Sequence, residues 1–409
     1  MKSVSIIIPV IRPEKVDRCK KAAIENAGID ASRIEIVSEV DVDRIGAPKI
    51  VKRLVNKSTH GLVLFLGDDT IPQPNYLINA LAAMETLPDG WGLVGLNDQF
   101  HDGNQLATHW LADKRLLEHL NNEFFHTGYI HCFCDNELID RCRELDRYVW
   151  AQDAVIEHDH PLITGKDPDE GHRKAMDREN YNADWKLYCR RKIDRNVFKL
   201  GIGLPIGKRR EPNNFWISLL NTDKPAESVL MVPRKEIYEF AGDIAILRND
   251  LAQQALREGC SHLIMMDTDQ VYPENTILQL LSHDVDVVGG VVHRRYPPFA
   301  PILYRGTLDK YQYVPDEEMY SGDMIEVDAT GCACMLIKTE VFLDLDYPWF
   351  EIQRKPNGKT VGEDIGFCYK LRSKGKQIYV DTSVSVDHMS EVCVNRSMYE
   401  LFKQSMGGQ

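Results

Sequence analysis

No two of the ten cysteines stand in a CxxC pair, and ten thiols spread over 409 residues describe neither a disulfide framework nor a structural zinc site. Reduced core residues are expected instead. No run of about 18 apolar residues occurs, and the apolar part of MKSVSIIIPVIRPEK is too short for a signal sequence with its cleavage site. A soluble, cytoplasmic protein with no transmembrane segment is therefore expected. Basic charge is also scarce: 49 Lys and Arg against 62 Asp and Glu leave a formal charge of −13. That excludes a protein that grips nucleic acid with its whole surface, since phosphate neutralisation needs clustered cations. Neither GxxxxGK[ST] nor GxGxxG is present, which argues against a phosphate loop and a dinucleotide fingerprint.

What is present suits sizeable cores, with 43% hydrophobic and 27% charged residues. The length suggests two or three domains at about 100–200 residues each. VSIIIPV reads as a buried strand, EKVDRCKKAAIENAG as a helix with a glycine stop, RIEIVSEV as a strand, GAPKIVKRLVNKSTHG as a helix and LVLFL as a strand. This alternation predicts an α/β fold with a mostly parallel sheet, whose ligands bind beyond the carboxyl ends of the strands. The pattern restarts at SVLMVP after GKRREPNNFWISLLNTDKPAES. The expected organisation is a first domain over 1–210, a linker over 211–227 and a second domain over 228–409.

The strongest internal echo is acidic. HLIMMDTDQVYPENTILQLL places Asp267 and Asp269 between an apparent strand and helix, and GLVLFLGDDTIPQPNYLINAL repeats the layout with Asp69 in the slot of Asp269, at 269 − 69 = 200. Lys49 to Gly67 and Asn249 to Asp267 both span 18 positions, which favours duplication over coincidence. Two carboxylates at a strand end attract a hard divalent cation such as Mg²⁺ or Mn²⁺, which takes one or two carboxylates and leaves room for phosphate oxygens. Alone, such a turn is more often a helix-capping device. Downstream, VGEDIGFCYKLRSKGKQIYVDTSVSVDHMSE adds Glu363 and Asp364 at a helix start and His388 after a strand. Together these residues make cation ligands, a candidate base and an imidazole, the parts of a metal-dependent group transfer.

The ordered series SVLMVP, MMDTDQV, GCACMLI, GEDIGFC and DHMSE resembles the GT-A type, family 2-like inverting nucleotide-sugar glycosyltransferases over nearly all of residues 228–392. VSIIIPV, FLGDDTIP, GYIHCFCDNELID and AQDAVIEHDHP resemble a second, more divergent copy over about 1–165. The resemblance implies two tandem GT-A domains and Mn²⁺- or Mg²⁺-dependent transfer, with inversion, from a nucleotide-diphosphate sugar to an acceptor hydroxyl. It implies that Asp267 sits near the donor ribose and metal, that Asp269 and His388 hold the metal, and that Asp364 is the general base. Pro233, Arg234, Arg248 and Asn249 would lie beside the base and diphosphate. In the first copy Gly67 replaces Asp267. Asp69 would bind the metal with His158 or His160, Asp68 would compensate for the missing carboxylate, Pro9 would join it on the donor side, and Asp153 would be the base.

Other readings stay open. The second domain alone is catalytic in one, with the first serving acceptor binding or dimerisation; in another, the chain is nucleotidyltransferase-like or phosphate-binding. The basic strip KLYCRRKIDRNVFKLGIGLPIGKRR over 186–210 reads as a solvated helix face and leaves room for an anionic acceptor, nucleic acid included, beside a saccharide. Cys132/Cys134 and Cys332/Cys334 are read as packing pairs on strands.

Overall fold

The structure is a computed structural model describing residues 2–165, 167–168, 173, 177–196, 198–207, 212–238, 243–355 and 358–390. Lys208, Arg209 and Arg210 of the basic strip, and the end of DHMSE, lie outside the described residues. The chain divides into two units, Met1–Tyr188 and Cys189–Gln409.

In the first unit the β-branched runs become strands β1 (Val4–Val10), β2 (Ile34–Val40) and β3 (Leu62–Phe65). Helices α1 (Pro13–Glu25) and α2 (Ala47–Lys57) connect them, each opened by a proline in its first turn, where a missing N–H costs nothing. Strand β4 (Thr70–Pro72), helix α3 (Tyr76–Met84), β5 (Leu93–Asn97), β6 (Trp110–Asp113), helix α4 (Cys134–Glu144) and β7 (Tyr148–His158) follow. The sheet order is β2-β1-β3-β6-β5-β7-β4. It is mixed: β2, β1 and β3 are parallel, as are β5 and β7, whereas β6 and β4 run antiparallel to their neighbours. Ile6, Ile8, Leu64 and Val94 are fully buried in the core of this unit, each contributing about 1.5–3 kcal/mol by its removal from water.

The second unit repeats the plan. Its strands are β8 (Leu200–Gly203), β9 (Ser228–Met231), β10 (His262–Met266), β11 (Gln270–Val271) and β12 (Val287–Val292). An insertion follows, with β13 (Leu303–Thr307), β14 (Lys310–Tyr313), β15 (Met324–Val327) and β16 (Ala329–Thr330). Then come β17 (Cys334–Lys338), the small ribbon β18 (Gln353–Arg354) and β19 (Thr360–Val361), and finally β20 (Ile378–His388). The order β9-β8-β10-β17-β12-β20-β11 matches the first sheet strand for strand, with the same parallel and antiparallel pairings.

This matching corrects the expected boundaries. The first strand of the second unit is LGIG at 200–203, not SVLM, which pairs as the second strand. Residues 211–227, expected as a linker, contain the helix Asn213–Asn221 between β8 and β9. Four residues with two glycines carry too little β-branched signal to announce a buried strand, and the expectation therefore started one strand late. The cysteine pairs also separate: Cys134 opens a helix, whereas Cys334 opens a strand. Their 200-residue offset is accidental.

Candidate active sites

The acidic turns fall where β3 and β10 end, and each is held against the last strand of its sheet. Thr70 pairs with His158 in the first unit and Gln270 with His388 in the second. The chain then locks the register: Asp159 N donates to Asp69 O at 3.0 Å, and Met389 N donates to Asp269 O at 2.9 Å. Strand pairing thereby brings a carboxylate and an imidazole together from distant parts of each half. His158 Nε2 lies 3.5 Å from Asp69 Oδ1, and His388 Nε2 lies 3.3 Å from Asp269 Oδ2. The separation of matching residues is 200 at the turns but 388 − 158 = 230 at the histidines, because the second unit carries the β13–β16 insertion.

Burial opposes ionisation of Asp69, but His158 and Arg12 beside it outweigh that and hold its carboxyl below the usual range. At Asp269, too, burial is overcome by His388 and then Arg295. Among the described residues no three His, Cys, Asp or Glu side chains converge as a ready-made metal cage. One carboxylate and one imidazole nevertheless suit a Mn²⁺ or Mg²⁺ ion that draws its remaining ligands from a diphosphate and water. Such a metal would fit Asp269 with His388, and Asp69 with His158. His160 lines the same cavity, its ring centroid 5.3 Å from that of His158.

Asp364 stands in the first turn of the helix Glu363–Ser373, its Oδ1 accepting from Ile365 N at 2.7 Å. Burial and then the charge of Glu363 push its carboxyl up to about 6, a value suited to a general base near neutrality. Glu363 is itself ion-paired. Arg248, 3% exposed, bridges Glu363 at 3.3 Å and Asp267 at 3.0 Å.

Several expected donor contacts are occupied by structural partners instead. Asn249 accepts from Trp349 N and Phe350 N and donates to Phe350 O at 2.7 Å, pinning one buried segment rather than facing a ligand. Arg248 is committed to two carboxylates and is not a diphosphate clamp. Arg234 pairs with Asp250 at 2.7 Å, and Pro233 beside it is buried. Asp68 does not replace the missing Asp267. Its Oδ2 accepts from Ile11 N and Arg12 N at 2.6 Å, and Oδ1 meets Arg12 Nη1 at 2.9 Å, which ties the turn to the end of β1. The space over Gly67 faces His109, whose Nε2 would lie 3.2 Å from an added Cβ. Burial and then His158 push the His109 imidazole down to about 3, so it stays neutral.

Asp153 is not the counterpart of Asp364. It sits on β7 where the register with β5 shifts, exposed, with its carbonyl accepting from Asn79. The residue placed like Asp364 is Asp135, in the first turn of α4, which precedes β7 as the helix Glu363–Ser373 precedes β20. Burial raises the Asp135 carboxyl. The loop before it is held by Asp184, which accepts from Ile130, His131 and Cys132 N–H groups, each at 2.8 Å. Sequence reasoning missed Asp135 because a cysteine fills the slot of Glu363; an acidic residue opening the last helix before the final strand was the available signal.

A cavity of about 730 Å³ joins these groups in the first unit, lined among others by Pro9, Arg12, Lys49, Asp69, Asp135 and His158. That volume suits a small-molecule ligand of several rings. Its wall includes Asp41, whose carboxylate accepts from Ile45 N at 2.8 Å and Gly46 N at 2.9 Å and so shapes the loop after β2.

A mixed sheet in this order, with an acidic turn paired to the last strand and a carboxylate opening the preceding helix, is the GT-A arrangement of nucleotide-sugar transferases. Residues 222–406 match the family Glycosyltransferase like family 2, a stretch that falls within the second unit. No curated protein matches the chain. Among solved structures, A197 from STIV is 18% identical over 48% of this chain and 87% of its own, with a TM-score of 0.32. The mannosyltransferase PcManGT from Pyrobaculum calidifontis, in complex with GDP-Man and Mn²⁺, is 13% identical over 47% of this chain, with a TM-score of 0.37. The match spans 64% of that enzyme, just under two thirds. S. aureus TarS 1–349 with UDP-GlcNAc is 10% identical over 47% of this chain and 67% of its own, with a TM-score of 0.36. Values this low transfer no ligand or activity to this chain. No helix among the described residues is long and apolar enough to cross a membrane.

Proposed function

We propose that the protein is a divalent-metal-dependent, inverting nucleotide-sugar glycosyltransferase with a donor site in each unit. The observation that carries this reading is the repeated constellation of carboxylate, imidazole and helix-end carboxylate: Asp69, His158 and Asp135 in one unit, Asp269, His388 and Asp364 in the other. Asp269 with His388, and Asp69 with His158, would hold Mn²⁺ or Mg²⁺, which would supply stabilisation of the charge on the departing diphosphate. Asp364 or Asp135 takes the proton of the acceptor hydroxyl as that oxygen bonds to the sugar C1 and the C1–oxygen bond to the diphosphate breaks. The acceptor class within this reading is a saccharide or another hydroxyl compound.

The cavity favours a working first unit over an accessory one. Transfer from a panel of UDP- and GDP-sugars, with Mn²⁺ and with chelator, tests the reading. Asp69→Ala and Asp269→Ala should each remove a different transfer, and the mixed variants should restore the full product. If one variant lost everything and the other nothing, a single catalytic unit would remain. Turnover undiminished by chelator would remove the metal.

A further inference from the structure

Asp269 is not left without a cation. Arg295 Nη2 contacts Asp269 Oδ2, and Arg295 Nε lies 3.3 Å from His388 Nε2. The opposite ring nitrogen, His388 Nδ1, sits 2.7 Å from the His293 carbonyl. A carbonyl only accepts, so Nδ1 carries a hydrogen, and in the neutral ring Nε2 presents its lone pair to the Arg295 Nε–H. One guanidinium therefore engages both atoms that a metal ion would use. The two cations cannot hold those atoms together.

Other arginines near the acidic turns are buried, whereas Arg295 is partly exposed. Arg248 is buried between Asp267 and Glu363, and Arg12 is 9% exposed and tied to Asp68. Arg295 has a side chain 33% exposed and belongs to a surface turn closed by the bridge between His293 and Pro301 and by Arg294 N donating to Ala300 O at 3.1 Å. Beyond that closure Tyr296 is 72% and Phe299 52% exposed, so no core holds the turn in place. The side chain can leave Asp269 without disturbing packing.

We propose that Arg295 is the resident counter-cation of the second unit's acidic turn, displaced from Asp269 by the metal ion and transferred to the donor diphosphate, so that metal and donor bind together. This rests on the nucleotide-sugar reading above. A divalent cation arriving alone must expel the guanidinium and remain beside its charge. A diphosphate supplies the negative charge that draws the guanidinium away, and Arg matches phosphate oxygens bidentately. In the first unit Arg12 is anchored by Asp68, and no such exchange follows there.

The test uses the full chain carrying Asp69→Ala, so that metal uptake reports on the second unit. Mn²⁺ binding is read from loss of the free-ion paramagnetic resonance signal, and UDP and GDP binding at saturating Mn²⁺ from calorimetry. Arg295→Gln should bind Mn²⁺ alone roughly tenfold or more tighter, the worth of one charge-assisted hydrogen bond no longer displaced. The same variant should bind the nucleoside diphosphate roughly tenfold weaker, and Arg295→Lys should fall between. If Mn²⁺ affinity is unchanged or lower in Arg295→Gln while the parent binds the nucleotides and transfers sugar, the exchange is wrong and the transferase reading stands. If Mn²⁺ binds tighter but no nucleotide binds parent or variant, the transfer to a donor is overturned together with the reading on which it rests.

Discussion

Replacing Asp364 by Asn should make the second unit more stable and far less active, both effects coming from one raised carboxyl. Asp364 is pushed from 3.8 to about 6 by burial and by Glu363. A folded-state value above the unfolded one means that the fold favours the protonated form. Stability on this account is complete below about pH 4, falls as the pH rises toward 6, and stays at its reduced level above 6. A shift of about two units corresponds to ~3 kcal/mol at most, and solvent at the half-buried site reduces this to ~1–3 kcal/mol. Asn carries no charge to bury and keeps an oxygen for the Ile365 N–H, now at 2.7 Å from Asp364 Oδ1. For a unit of this size each kcal/mol moves the midpoint by about 2–4 °C, so a rise of about 3–10 °C is expected at pH 7.5 and almost none at pH 4. Calorimetry of parent and variant across that range measures it. Transfer should fall by roughly 10²–10⁴-fold, and the parent's rate should climb through pH 6 while the variant's residual rate stays flat. A variant that is less stable at pH 7.5, or equally altered at both pH values, would refute the assignment of a raised, ionising base. A loss of nucleotide-sugar affinity as large as the loss of rate would make Asp364 a donor ligand instead.

Four further outcomes follow from particular contacts. Asp135→Asn should depress transfer by the first unit roughly 10²–10⁴-fold while Asp153→Asn leaves it unchanged, as read from steady-state rates in an Asp364→Asn background; the reverse would restore Asp153. Asn249→Ala leaves buried N–H and C=O groups of Trp349 and Phe350 without partners, and should destabilise the second unit by ~2–4 kcal/mol in a denaturant titration. Gly46→Ala meets a φ of 98° and an Ile130 carbonyl 2.7 Å from the new Cβ, so it should lose ~1–3 kcal/mol and weaken nucleotide binding by the first unit in calorimetry. His388→Ala should weaken Mn²⁺ binding in the presence of UDP, measured by paramagnetic resonance, without altering the thermal midpoint by more than about 2 °C, since the ring stands at the C-terminal end of β20 and is not part of the unit's hydrophobic core.

Local physical chemistry was legible along the chain itself. Short apolar runs such as SIII and LVLF read as buried strands, the alternation with helices reads as an α/β sheet, and charged turns at strand ends point to where a ligand binds in such sheets. Asp69 and Asp269 became candidates for that reason, and the repeated plan was visible because the stretch from α2 to the turn keeps its length. Asp364 and His388 also stood out, being bound to recognisable helix and strand ends. Only the tertiary structure decided partners across long separations. Sequence spacing holds no information once an insertion intervenes: with the β13–β16 segment the offset, 200 at the turns, becomes 364 − 135 = 229 and hides the match between Asp135 and Asp364. Side-chain direction is equally invisible in a string of letters. Arg248 and Asn249 follow one another on a helix, yet one neutralises Asp267 and Glu363 while the other ties down Trp349 and Phe350. Pairing of β4 with β7 and of β11 with β20 is a property of the closed sheet, and it alone sets each histidine against its carboxylate.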